Sequence, residues 1–177
     1  MKKLTIAELK KILKSKSNDE LIKEIVELYK KFPDVKDYYS SNLSTDGMTE
    51  VLEKYKKIVQ NEFFPTRGFG KLRLSVARKA VNDFKKISNS SHDIAVIMLH
   101  YVENGVEFTN EYGDIDEQFY SSIESMYETA LKHITKFNLE DEFYTRCKEV
   151  VSDTSGIGWG FHDCLGDLFC RYIESKE

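Results

Sequence analysis

The apolar residues of this chain fall at helical spacing almost from its beginning. Leu4-Thr5-Ile6-Ala7-Glu8-Leu9 reads as a helix start. Thr5 is placed to accept from the amide of Glu8, Glu8 to return the bond, and Leu4 to lie against Leu9. The signature recurs at Ser17-Asn18-Asp19-Glu20, after which Leu21, Ile25, Leu28 and Phe32 form one apolar stripe. Pro33 ends that helix and suits the first turn of a short one over residues 33–40. Beyond the turn-rich residues 42–47, Met48, Val51, Leu52, Tyr55, Ile58 and Val59 predict an amphipathic helix stopped by Phe64-Pro65.

The next helix is predicted over residues 71–87, with Leu74, Ala77, Val81 and Phe84 facing inward and Lys71, Arg78 and Lys85 recurring every seven residues on another face. Residues 94–99 are a continuous apolar run, which a buried helix or a buried strand can both produce, and Asn104-Gly105 resembles a hairpin turn. Ile94, Met98, Tyr101, Gly105, Phe108 and Tyr112 keep the helical period across the segment, so a helix is expected, with Gly105 as its C-cap or a bend. Phe119, Ile123, Met126, Tyr127, Ala130 and Ile134 mark one more helix within residues 115–137. Asn138 is placed to cap another that carries Phe143, Cys147, Val150 and Val151. A small-residue loop at 152–160 precedes a last helix over about 159–173. The expected fold is all-α: about eight helices in antiparallel αα-hairpins, as an irregular bundle or a HEAT-like stack. It forms a single domain over residues 1–177, with an N-terminal hairpin 1–40 packed on a core 48–175.

Composition supports a self-sufficient core: 41% of the 177 residues are hydrophobic, and ten Tyr and eleven Phe supply large side chains. No stretch approaches the ~20 apolar residues of a membrane span, and the basic start runs into a charged helix without a signal-peptide core, so no membrane association is expected. Cys147, Cys164 and Cys170 lack CxxC spacing and read as reduced thiols, which points to the cytoplasm. Charge is uneven. Residues 1–90 hold 20 Lys/Arg against 12 Asp/Glu, and residues 91–177 hold 6 against 18. A basic half suits a polyanion, and equally lets two halves of one domain attract each other.

Two segments carry candidate chemistry. Arg67-Gly68-Phe69-Gly70-Lys71 runs into a predicted helix N-terminus, where free amides and the helix dipole suit an anion. Arg67, Gly68, Gly70, Lys71, Arg78 and Lys85 are its candidate residues, although a tight turn before a solvated basic face has the same sequence. The loop is not a GxxxxGK[ST] phosphate loop. The second segment, residues 154–163, holds the single tryptophan, three glycines and a His-Asp pair. Trp159, His162 and Asp163 are candidates to line a pocket, and Trp159 and Phe161 are expected to pack the loop on the body. Metal spacing, GxSxG and the RxxxxH pattern of helical nucleases are absent, and no cofactor is implied.

Two resemblances follow. Residues 4–13 (LTIAELKKIL) with residues 20–25 (ELIKEI) are similar to the paired helices of SAP-type DNA-binding modules, which implies a basic surface for a DNA backbone. That likeness covers about 30 residues and lacks the glycine and extended connector of those modules. Residues 21–39 (with ELYKKFPDVKDYY at their heart), 71–80 (KLRLSVARKA) and 105–109 (GVEFT) resemble a family of small bacterial proteins of unknown function, which implies an all-α fold and no stated activity. The functional expectation is a non-catalytic helical interaction or scaffold protein that binds a protein partner or itself. Polyanion binding through the basic half and small-molecule chemistry at residues 156–167 are the alternatives.

Overall fold

The structure, a computed structural model, describes residues 3–44 and 46–174. Among these, nine α-helices follow one another: α1 (Ile6–Lys14), α2 (Asn18–Lys31), α3 (Pro33–Leu43), α4 (Gly47–Phe63), α5 (Leu74–Ile87), α6 (Ser91–Tyr112), α7 (Glu117–Lys136), α8 (Glu140–Ser152) and α9 (Phe161–Phe169). A π-helical turn, Cys170–Glu174, closes the chain as described. The fold is an all-helical bundle. No helix among the described residues is long and apolar enough to cross a membrane.

The ambiguous apolar run is the centre of this bundle. α6 has 22 residues, and Ile97, Met98, Leu99, Tyr101 and Phe108 are among those wholly shielded from solvent. α4, α5, α7 and α8 surround it, so apolar side chains are needed on nearly every side and the amphipathic period blurs. Gly105 neither caps nor ends this helix. A Cβ there would lie 2.3 Å from Cδ1 of Ile123 on α7, so the glycine is required by the close approach of two helices. Rings complete the centre: Phe63 of α4 meets Tyr101, Phe108 and Phe119 at centroid distances of 5.6, 6.3 and 6.4 Å.

Helix ends are set by local chemistry. Both N-terminal capping boxes form, Thr5 with Glu8 and Ser17 with Glu20. Pro33 sits in the first turn of α3. Asn138 does not cap α8 with its side chain, as its position suggested. It takes a left-handed conformation (φ 54°) just after α7. The amides of Leu139 and Asn138 donate to the carbonyls of Ile134 and Thr135, closing a Schellman turn. α5 begins at Leu74 rather than at residue 71, because the chain before it folds back on the end of α4. There the Leu72 amide donates to the Glu62 carbonyl at 2.9 Å.

Within the N-terminal 40 residues, α3 packs on the core through α4, with Asp37 and Ser41 buried. Lys54 and Tyr55 hold the Asp37 carboxylate at 2.6–3.1 Å. α2 packs chiefly on α3, with Tyr29 edge-on to Tyr39 at 6.3 Å, and α1 is at most lightly packed on any other helix. Neither α1 nor α2 buries a single residue.

Gly105→Ala tests the central contact. The added methyl overpacks α6 against α7 and should lower stability by about 1–3 kcal/mol, despite the better helix propensity of alanine. Adding Ile123→Ala, which removes both crowding carbons, should cost less in the Gly105→Ala background than in the parent in denaturant melts. No loss in the single variant would show that the helices can move apart freely.

Candidate functional site

The glycine loop is built against α4. Gly70 lies so close to the α4 carbonyls that a Cβ would be 2.1 Å from the Phe63 oxygen, and Gly68 has φ 77°. Arg73 grips the buried Glu62 carboxylate with two side-chain bonds of 2.9 and 2.7 Å, and this guanidinium holds the Glu62 carboxyl below its ordinary range. The sequence reading passed over Glu62, and a carboxylate at the end of an amphipathic stripe is its only signal. Arg67 and Lys71 are exposed, and Phe69 lays its ring on Phe108 and Tyr112 at 5.4 and 4.8 Å. Arg78 points elsewhere. Its guanidinium donates to the hydroxyl and carbonyl of Ser122 at 2.9 and 2.6 Å and covers the Tyr101 ring. Lys71 precedes α5 instead of lying on it, and Lys85 is half-buried near its far end. The six candidate residues therefore do not form one basic face on a helix.

The loop before α9 is organised by Thr154, which is fully buried. Its hydroxyl donates to the Val151 carbonyl at 2.6 Å, so its oxygen accepts from Nδ1–H of His162 at 2.9 Å. Phe161 is buried and stacks on Tyr120 at 4.8 Å, as expected. Trp159 does not pack: it is 76% exposed, with φ 63°, beside Gly160 at φ 71°. Asp163 is exposed in the first turn of α9.

A cleft of about 330 Å³ lies between α6 and α8. Glu103, Glu107, Glu149 and Asp153 rim it over Val106 and Val150. Arg146 is clamped by Glu103 at 2.5 and 2.7 Å, and Asn110 donates to the Asp153 carbonyl at 2.7 Å. None of Trp159, His162 and Asp163 lines it.

The most unusual surface is the α1–α2 hairpin. Leu4, Ile6, Leu9 and Ile12 are 59, 74, 41 and 47% exposed, and Ile22, Ile25, Val26, Leu28 and Phe32 lie between 42 and 58%. Sequence spacing marked Ile25, Leu28 and Phe32, with Leu21, as one helical stripe. It did not distinguish a stripe that meets a core from one that meets solvent. Lys10, Lys11, Lys14, Lys23, Lys30 and Lys31 are exposed along the same two helices. Lys16 bonds Glu24 at 2.5 Å across the turn between them.

The molecule is thus an all-helical bundle that carries an uncovered amphipathic hairpin. Residues 4–168 match the model of a family described as Family of unknown function (DUF6155), and the chain belongs to that family. The match includes the hairpin, so bundle and hairpin are parts of one family unit. No curated protein and no solved structure matches the chain.

Several groups whose pKa the fold lowers make it acid-sensitive, among them half-buried His100 and His133 and the buried Glu62. Burial pushes the pKa of His100 below its ordinary 6.5, so the folded protein binds a proton there less readily than the unfolded chain. Its contribution is present above pH 6.5 and is lost as pH falls through the lowered value. Glu62 behaves likewise, starting below its ordinary 4.5. Stability should therefore fall in two stages on acidification. Glu62→Gln should cost about 1–3 kcal/mol at neutral pH, with the deficit shrinking below pH 4.5. Urea melts across pH check this, and a constant deficit would contradict the role of the charge.

Proposed function

We propose that this protein is a non-catalytic helical interaction or scaffold protein whose contact surface is the apolar face of α1–α2. The observation that supports the reading is the nine large apolar side chains that this hairpin leaves 41–74% exposed. Large apolar side chains exposed in such number on two successive helices are the mark of a binding surface or an aggregation hazard. Covering it would return on the order of 10 kcal/mol before the entropic cost of association. Lysines beside the stripe keep the free hairpin soluble. α1 has only nine residues, below the roughly 12–15 at which an isolated helix becomes even marginal in water, and at most light packing on any other helix. A partner that covers the stripe also completes the helix. Cys147, Cys164 and Cys170 stand outside any disulfide, which fits a reducing compartment such as the cytoplasm.

Ile22→Asp with Ile25→Asp tests the reading. Because both positions lie outside the core, the double variant should keep its helical spectrum and melt within about 2 °C of the parent. The immobilised parent chain should retain a defined polypeptide from extract, identified by mass, that the double variant does not retain. Equal retention by both, or collapse of the variant's melting point, contradicts the proposal.

A further inference from the structure

We propose that the corner where α2, α3 and α4 meet binds a small anion made of linked phosphates. The chemistry of this corner does not depend on what covers the apolar stripe. Phe32-Pro33 ends α2 and starts α3 with no loop between them, so the last turn of one helix and the first turn of the next share one place. Lys30 and Lys31 occupy that last turn, where the dipole of α2 favours cations. Lys36 is the fourth residue of α3, near an end whose dipole disfavours a cation. Lys54 reaches the same corner from α4. These four lysines line a cavity of about 480 Å³.

The charge of the corner is one-sided. Among the described residues that line it, only Asp37 is acidic. Its carboxylate is already engaged: the Lys54 ammonium donates to its two oxygens at 2.8 and 2.6 Å, and the Tyr55 hydroxyl donates at 3.1 Å. That clamp offsets one lysine and fixes the Lys54 ammonium in place. Lys30, Lys31 and Lys36 are exposed, and among the described residues none of them stands in an ion pair with a carboxylate. Lys31 lies over the Phe32 ring at 5.6 Å, which leaves its charge uncompensated. Asp34 belongs to the neighbouring cleft, with Lys79 and Asp83. The negative end of α2 and the positive end of α3 meet at the corner and offset each other, so the side chains set its sign. Three positive charges thus converge there with nothing in the fold to balance them.

The kind of cation points to the kind of anion. No arginine lines the corner, so it has no planar fork of the sort that pairs with a carboxylate. Lysine ammoniums act as point charges and suit the oxygens that phosphate spreads in every direction. The cavity has room for linked phosphates, whose several negative charges match the three that are open. Such an anion also has a mechanical effect. α2 packs chiefly on α3, and a ligand held by Lys30 and Lys31 on one side and Lys54 on the other ties α2 to α4 as well.

Calorimetric titration of the full chain with pyrophosphate tests the site. One saturable site per chain is expected at about 50 mM salt, tighter than that for orthophosphate and weakened at about 200 mM, because the lysines are open to screening. Lys30→Gln with Lys36→Gln should weaken binding about tenfold, as two exposed charge pairs are lost, with the melting transition unchanged. Lys10→Gln with Lys11→Gln removes the same charge from α1 and should leave the affinity within about twofold. Hydrogen exchange of the α2 amides should slow when pyrophosphate is added to the parent and stay as it was in the Lys30→Gln, Lys36→Gln variant.

Absence of saturable pyrophosphate binding at the lower salt overturns the proposal. Equal weakening by the two double variants also overturns it, because the effect would then be one of net charge. So does binding of single-stranded oligonucleotides with none of pyrophosphate. None of these results bears on the apolar face, whose test at Ile22 and Ile25 leaves the four lysines in place.

Discussion

The approach of α6 to α7 at Gly105 sets the spacing on which the bundle is built. A side chain at that position would meet Ile123 at 2.3 Å, so the two helices come together only because residue 105 has none. From that contact, α6 presents Tyr101 and Phe108 to Phe63 of α4 on one side. α7 turns Tyr127 to the Cys147 carbonyl of α8 at 2.8 Å. Ser122 on α7, close to Ile123 in sequence, receives both Arg78 from α5 and the hydroxyl of Tyr101. Helices α4 to α9 are therefore mutually constrained by apolar packing and by polar groups that find partners inside it.

That network stops at α3. Asp37, Lys54 and Tyr55 form its last buried polar junction, and beyond it α2 leans on α3 mainly through Tyr29. The hairpin has good local signals, with two capping boxes and two stripes, and lacks tertiary cover. The capping boxes favour the helix starts, but helices of 9 and 14 residues are marginal without tertiary contact.

Most of the helix order was legible because stripes such as Phe119–Ile123–Met126–Ala130–Ile134 leave no other period. The misread points share one cause. Gly105, Asn138 and Trp159 each owe their role to backbone geometry: close approach at the first, left-handed φ at the other two. Residue identity allows several such geometries and selects none. The candidate site was half legible. Ile25, Leu28 and Phe32 were recognisable as an apolar stripe, but exposure is a property of what lies opposite, which spacing along one helix does not encode. Arg78 shows the converse: a basic periodicity suggested an anion site, and Ser122, forty-four residues away in sequence, takes the guanidinium instead.

Hydrogen exchange followed residue by residue, at several protein concentrations, tests the central claim that the hairpin is a helical surface awaiting cover. In dilute solution the amides of α1 and α2 should exchange orders of magnitude faster than those of α6, because nothing but local helix formation protects them. Their protection should rise when a partner covers the stripe, while that of α6 stays constant. Protection of α1 and α2 equal to that of α6 at every dilution would show that the stripe is already buried within a single chain, and would contradict the account.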